Sequence, residues 1–193
     1  MSKKKTLFLA QVAVLSALIT IMTFVPQIGY IQYGMLSIVI VHIPVIIGAC
    51  TLGPLAGTIL GGVWGVTCLL RAVWVPSVET AIFVNPLISV LPRIIVGLVA
   101  GWVFIGIRKL NRSRDGLGVY LITAICATLT NTVLVIGAIV LLGAPLAQMG
   151  QMLTTIISVA LLLNCSVEIV SAAVLTTTIA PPLKRAISRT TVT

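Results

Sequence analysis

The chain has 193 residues, of which 59% are apolar and 8% charged, with a formal net charge of +9. Soluble domains carry about 25% charged residues, so this composition excludes a water-exposed surface over most of the chain and makes lipid its solvent. At about 20 residues per crossing there is room for roughly five to seven helices joined by short loops; residues 1–193 then form a single transmembrane domain with no soluble catalytic module.

The apolar runs are continuous, which excludes the alternating strands of a membrane β-barrel. In a soluble protein the basic excess would point to nucleic acid. Here it marks cytoplasmic loops, and no nucleic-acid partner is expected. Cys50, Cys68, Cys126 and Cys165 all lie in apolar runs without metal-ligand spacing. They read as small packing residues, with no disulfide, zinc or other metal assigned. The first apolar run is longer than a signal-peptide core and lacks a small-residue cleavage site, so it reads as a retained helix.

Lys3, Lys4 and Lys5 open the chain and are expected inside the cell. A first helix runs from about Thr6 to Val25. Pro26 and Gly29 break it, giving an outer loop through about Gly34. The second helix covers about Met35 to Cys50 and ends at the tight turn Leu52-Gly53-Pro54. The third covers about Leu55 to Leu70, followed by a longer outer loop from Arg71 to Asn85 that holds Pro76, Trp74 and Glu79. The fourth helix runs from about Pro86 to Ile107.

The segment from Arg108 to Asp115 has four basic residues and one acid between two long apolar runs, and it is the strongest topological signal in the chain. It is expected in the cytoplasm. The fifth helix runs from about Gly116 to Leu142, and Gly143-Ala144-Pro145 turns the chain outside. The sixth runs from about Gln151 to Ile179, where Pro181-Pro182 is expected to stop it. Lys184, Arg185 and Arg189 follow inside. The reading is thus an all-α polytopic membrane protein of six transmembrane helices with both termini cytoplasmic, in the cell membrane. This arrangement puts ten of the twelve basic residues on one face, leaving Arg71 at the outer edge and Arg93 within a helix.

Small residues recur every four positions: Gly57, Gly61 and Gly65 on the third helix, Gly97 and Gly101 on the fourth, Ala13 and Ala17 on the first. Such stripes let helix backbones approach closely in lipid, either within the chain or against another membrane protein.

Embedded polar residues are few. They are His42, Arg93, Asn131, Asn164 and Glu168, with Arg71 and Asn85 near the outer boundary. A charge at the bilayer centre costs at least about 2.5–3.5 kcal/mol, so each one implies a partner or a task. The topology puts Arg93 about two turns below the outer surface, Asn131 near mid-membrane or slightly outward, and Asn164 and Glu168 near the middle on one helix face. Two readings remain open: Arg93 and Glu168 form a mutual salt bridge, or Arg93 binds a ligand carboxylate while Glu168 and the asparagines take hydroxyl, amide or amine groups. His42 suits a structural hydrogen bond. Tyr30, Tyr33, Trp74 and Trp102 suit interfacial anchors.

There is no G-x-x-x-x-G-K-[ST] loop, no H-E-x-x-H, no G-x-S-x-G and no aspartate pair. With three acidic residues in all, acid–base catalysis has little to work with. No catalytic residue, enzyme activity or cofactor is expected. A self-sufficient secondary transporter would be expected to show paired internal repeats and broken helices, and neither is seen.

The stretch Val41-His42-Ile43-Pro44-Val45-Ile46-Ile47-Gly48, followed by Leu52-Gly53-Pro54-Leu55-Ala56-Gly57, resembles the substrate-binding S components of energy-coupling factor (ECF) transporters. Leu91-Pro92-Arg93-Ile94-Ile95-Val96-Gly97-Leu98-Val99-Ala100-Gly101 resembles the fourth helix of that family. The resemblance implies a subunit that captures a vitamin from outside the cell beneath outer loops that act as lids. It also implies a transmembrane coupling protein and two ATP-binding-cassette subunits as partners. Ala13 and Ala17 match the alanine pair that the family docks on its coupling protein. Within the family the chain looks most like the pantothenate and hydroxymethylpyrimidine group. Pantothenate is favoured, its carboxylate for Arg93 and its hydroxyls and amide for Asn131 and Asn164; hydroxymethylpyrimidine, which would prefer Glu168 as acceptor, is the alternative. Asn85 and Arg71 complete the expected substrate-binding set.

Overall fold

The computed structural model describes residues 3–25, 27–33, 36–75, 80–110, 116–142 and 151–190, with backbone only for 32, 33, 36, 37, 151–163, 189 and 190. Pro26, Gly34, Glu79, Pro145 and the charged positions 111–115 lie outside the described residues. In chain order the elements are α1 (Lys3–Phe24), β1 (Tyr30–Tyr33), β2 (Leu36–Val39), α2 (His42–Leu52), α3 (Pro54–Trp74), a 3-10 turn (Thr80–Val84), α4 (Pro86–Ser89), α5 (Leu91–Leu110), α6 (Leu117–Leu142) and α7 (Gln151–Thr190).

Among the described residues, five stretches are long and apolar enough to cross a membrane: Lys3–Phe24, Pro54–Trp74, Pro86–Leu110, Leu117–Leu142 and Asn164–Ser188. Their outward faces are apolar. Val14, Val66, Val133, Val140, Val170 and Val174 are all exposed, a pattern that suits lipid and not water. The chain is an all-α membrane protein apart from one short hairpin.

The hairpin corrects the sequence reading, which has an outer loop to Gly34 and a helix from Met35. Instead β1 and β2 pair antiparallel, with Tyr30 opposite Val39 and Ile31 opposite Ile38, and α2 starts at His42. Pro44 explains the later start. In a helix beginning at residue 35 it would sit in the interior, where it breaks the bond to the carbonyl four residues back. In a helix beginning at His42 it falls in the first turn, where no N–H has an intrahelical partner. At 11 residues, α2 rises roughly 16 Å, about half the hydrocarbon thickness. It is the centre of the molecule, with every residue from His42 to Cys50 buried. Val45 packs in one cluster with Val12, Ile19, Leu60 and Trp64. Ile43, Ile46 and Ile47 pack in another with Val96, Phe104, Tyr120 and Ala172.

The glycine stripes of α3 and α5 pack against each other. A Cβ on Gly57 would meet the Gly97 carbonyl, one on Gly97 the Gly57 carbonyl, and one on Gly101 the Cα of Pro54. Gly65 lies against Val90, so the two helices run antiparallel with backbones in contact, as small residues permit in lipid. Ala13 and Ala17 differ. Both are exposed on α1, whose described side chains are buried only at Val12, Ile19 and Thr23.

The other correction concerns the last helix, expected to stop before Pro181. α7 continues through Pro181 and Pro182 to Thr190. The prolines leave the Thr177 and Thr178 carbonyls without their N–H donors; the hydroxyls of the same two residues bond one turn further back, to the Ala173 and Val174 carbonyls. Transmembrane helices tolerate proline where local side chains and neighbouring helices support the backbone.

Candidate functional site: a polar cavity beneath the hairpin

The α3 and α5 ends near Arg71 and Leu91 meet the hairpin and the 3-10 turn, and a cavity lies beneath them. It is lined by Tyr30 and Val39 of the hairpin, Trp64, Cys68 and Arg71 of α3, Thr80 and Phe83 of the turn, Arg93 of α5, Asn131, Thr132 and Val135 of α6, and Glu168 of α7. About 650 Å³ of non-atom space lies among these residues, the open solvent at its mouth included.

Arg93 is the deepest cation here, 5% exposed. Its place follows from the residue before it. Pro92 has no N–H, so within the helical path the carbonyl of Ile88, four residues back, lacks its ordinary donor. Arg93 supplies one: Nη1 donates to the Ile88 oxygen at 2.7 Å. The face of the guanidinium is used as well. Its Cζ lies 4.8 Å from the Phe83 ring centre and 5.2 Å from that of Trp64, and flat cations are favoured on such faces. Nε has no hydrogen-bond partner among the described residues. Glu168 is not among the contacts of Arg93; its Oε1 accepts the Val39 N–H at 3.0 Å.

Asn131 carries a second unpaired group. Its Oδ1 is buried without a partner among the described residues, in a side chain 8% exposed. A buried acceptor left unpaired costs about 1–3 kcal/mol, and the residues that carry the two orphan groups, Arg93 and Asn131, both border the cavity.

Arg71 sits nearer the mouth, half-buried, with its Cζ 3.9 Å from the Tyr30 ring centre. Tyr30 is not the interfacial anchor expected from sequence. It is buried, and its hydroxyl accepts from Trp64 Nε1 at 3.2 Å. Trp74 and Trp102 do face outward, at 69% and 62% exposure, and the Tyr33 side chain lies outside the described residues.

Of the six expected substrate residues, the fold brings Arg93, Asn131, Glu168 and Arg71 to one cavity. Asn164 and Asn85 do not line it. Asn164 is half-buried one turn before Glu168. Asn85 caps α4, its Oδ1 accepting the Leu87 N–H at 3.0 Å. His42 is fully buried, with Nε2 3.3 Å from the Thr128 hydroxyl, the structural role expected of it. Trp64 was missed. Its signal was available, because Trp64, Cys68 and Arg71 follow i, i+4, i+7 and so share a helix face. Phe83 had none, since only folding brings the 3-10 turn over Arg93.

A short buried helix beside a hairpin, close-packed glycine helices and a polar cavity at one end of the bundle define a helical membrane protein with a candidate solute site. The sequence profile described as "ECF transporter, substrate-specific component" matches residues 7–180, and the chain belongs to this family. It is 35% identical to the pantothenate transporter PanT of Leuconostoc mesenteroides over 109 residues, 54% of this chain and 53% of that protein. It therefore spans about half the length of that relative. It is 32% identical to the pantothenic acid transporter PanT of Lactococcus lactis subsp. cremoris over 163 residues, 76% of this chain and 78% of that protein.

Proposed function

We propose that the chain is the pantothenate-binding subunit of an ATP-driven vitamin importer in a bacterial plasma membrane. One observation carries the reading: the unpaired edge of the buried Arg93 guanidinium shares a cavity with the unpaired Asn131 oxygen. A carboxylate suits the first through a charge-assisted hydrogen bond, and a hydroxyl or amide N–H suits the second. Pantothenate offers both ends. Two relatives are named for its transport, which supports the same choice.

The chain crosses the membrane six times, α2 and the hairpin together making one passage, and both termini face the cytoplasm. The cavity then opens outward. Lys3 to Lys5, Arg108, Lys109, Lys184 and Arg185 then face inward, as basic residues do. Transport needs partners, because the sequence holds no nucleotide-binding loop. These are a transmembrane coupling protein, docked on the exposed Ala13 and Ala17 of α1, and two ATP-binding-cassette subunits. The test is calorimetric titration of the purified chain in nanodiscs with pantothenate and, separately, with hydroxymethylpyrimidine. Saturable binding of pantothenate alone is expected. Binding of hydroxymethylpyrimidine alone would reassign the site.

A further inference from the structure

The rung Tyr30–Val39 of the hairpin is tied at both ends. On β1, Tyr30 is fixed to α3: its hydroxyl accepts from Trp64 and its ring lies under Arg71. On β2, Val39 is fixed to α7: its N–H donates to Glu168 Oε1 at 3.0 Å. The two residues face each other in register, so this rung spans from α3 to α7 across the cavity that all five residues border.

The Val39 bond is the unusual end. In a two-stranded hairpin each strand has one edge without a ladder partner, and an edge N–H is ordinarily left to solvent or a neighbour. Here the neighbour is a carboxylate that is itself 6% exposed and 129 residues away in sequence. A buried carboxylate is costly unless it is hydrogen-bonded, and the Val39 N–H is one donor to it while the hairpin is seated. Unseating the hairpin strips an acceptor bond from Glu168 and the donor bond from Val39 together.

We infer that Glu168 is a positioning residue for ligand retention. It acts through the backbone of Val39, holding the hairpin down over the cavity. This differs from the direct ligand contact expected for Glu168 from sequence. The inference rests on the pantothenate reading only for its ligand-dependent arm.

The experiment has two arms and three variants. Glu168→Ala removes the acceptor. Val39→Pro removes the donor and leaves the carboxylate; proline is tolerated at an edge position whose N–H points away from the ladder. Glu168→Gln keeps an oxygen acceptor without the charge. The first arm is hydrogen exchange of the hairpin peptide, residues 29–40, in the ligand-free protein. Both Glu168→Ala and Val39→Pro should speed exchange there, and Glu168→Gln should restore much of the protection. The second arm is the dissociation rate of pantothenate. A charge-assisted bond of this kind implies roughly ten- to hundredfold faster release in Glu168→Ala and Val39→Pro alike, with partial rescue in Glu168→Gln.

The inference is overturned if hairpin exchange is unchanged in both Glu168→Ala and Val39→Pro. It is also overturned if Glu168→Ala and Glu168→Gln release ligand equally fast while Val39→Pro behaves as wild type, because the carboxylate would then touch the ligand. If the wild-type chain binds no pantothenate, the substrate reading fails, and the ligand-free exchange arm still decides the role of Glu168. Should Glu168→Ala not fold, Val39→Pro and Glu168→Gln carry both arms.

Discussion

The backbone of Gly61 lies against the carbonyl of Arg93, so closely that a Cβ at Gly61 would collide with that oxygen and stand 2.9 Å from its carbon. The cation of the cavity is thus seated by the absence of a side chain on the facing helix. Gly61→Ala should push α5 away and carry Arg93 off the Trp64 ring. Overpacking of this kind costs about 1–3 kcal/mol. A lowered midpoint in a thermal melt and weaker pantothenate binding are both expected. Gly62→Ala is the control: a Cβ there meets only Ile94 Cγ1, at 3.8 Å, and should leave both measurements unchanged.

Arg93→Ala removes the anchor expected for the ligand carboxylate. Losing one partner of a buried charge pair costs roughly 2–5 kcal/mol, or about 30-fold to several thousand-fold in affinity. Arg93→Lys should recover only part of it, since an ammonium cannot keep the flat stacking between Trp64 and Phe83 while bonding through its edge. Titration of folded variants checks this. Near-normal pantothenate affinity in Arg93→Ala would remove the carboxylate assignment.

Pro92 should matter to affinity more than to stability. Pro92→Ala restores an N–H that competes with Arg93 for the Ile88 carbonyl, freeing the guanidinium to leave its place. A hydrogen bond of about 1 kcal/mol corresponds to a severalfold loss of pantothenate affinity. The melting midpoint should not fall, because the new N–H gains a helical partner. A large drop in midpoint would show that Pro92 serves packing instead.

Replacing Ala13 and Ala17 together with tryptophan should abolish pantothenate uptake by cells that hold the whole transporter. Binding by the isolated chain should be unaffected, because both residues are exposed on α1 and neither lines the cavity. Bulk there blocks the close helix approach that small residues allow. Surviving uptake would put the docking face elsewhere.

Single cysteines test the orientation once Cys50, Cys68, Cys126 and Cys165 have been replaced. Ala81 in the 3-10 turn and Lys109 at the end of α5 are both exposed and lie at opposite ends of the bundle. In intact cells an impermeant thiol reagent should label Ala81→Cys and spare Lys109→Cys. The reverse pattern would invert the topology.

The sequence by itself determined the solvent and the residues that had to have a task. Each is a matter of composition and run length. Lipid leaves so few polar side chains that Arg93, Asn131 and Glu168 stand out wherever the helices pack, and the four-residue glycine stripes announce close approach without naming the partner. Pro44 was also legible as a limit on α2, yet the sequence reading began the helix at Met35 because apolar residues run unbroken through a short strand and a buried helix alike. Pro181 and Pro182 were read as a stop because proline breaks helices in water; a helix supported by its neighbours in lipid carries them. Only the tertiary structure decided that the α3 glycines pack on α5 while Ala13 and Ala17 remain free, because spacing alone is the same for both uses. It also decided that Glu168 faces the Val39 backbone and that Phe83 covers Arg93. Contacts between residues so far apart in the chain arise from how the helices cross, and local sequence does not encode that crossing.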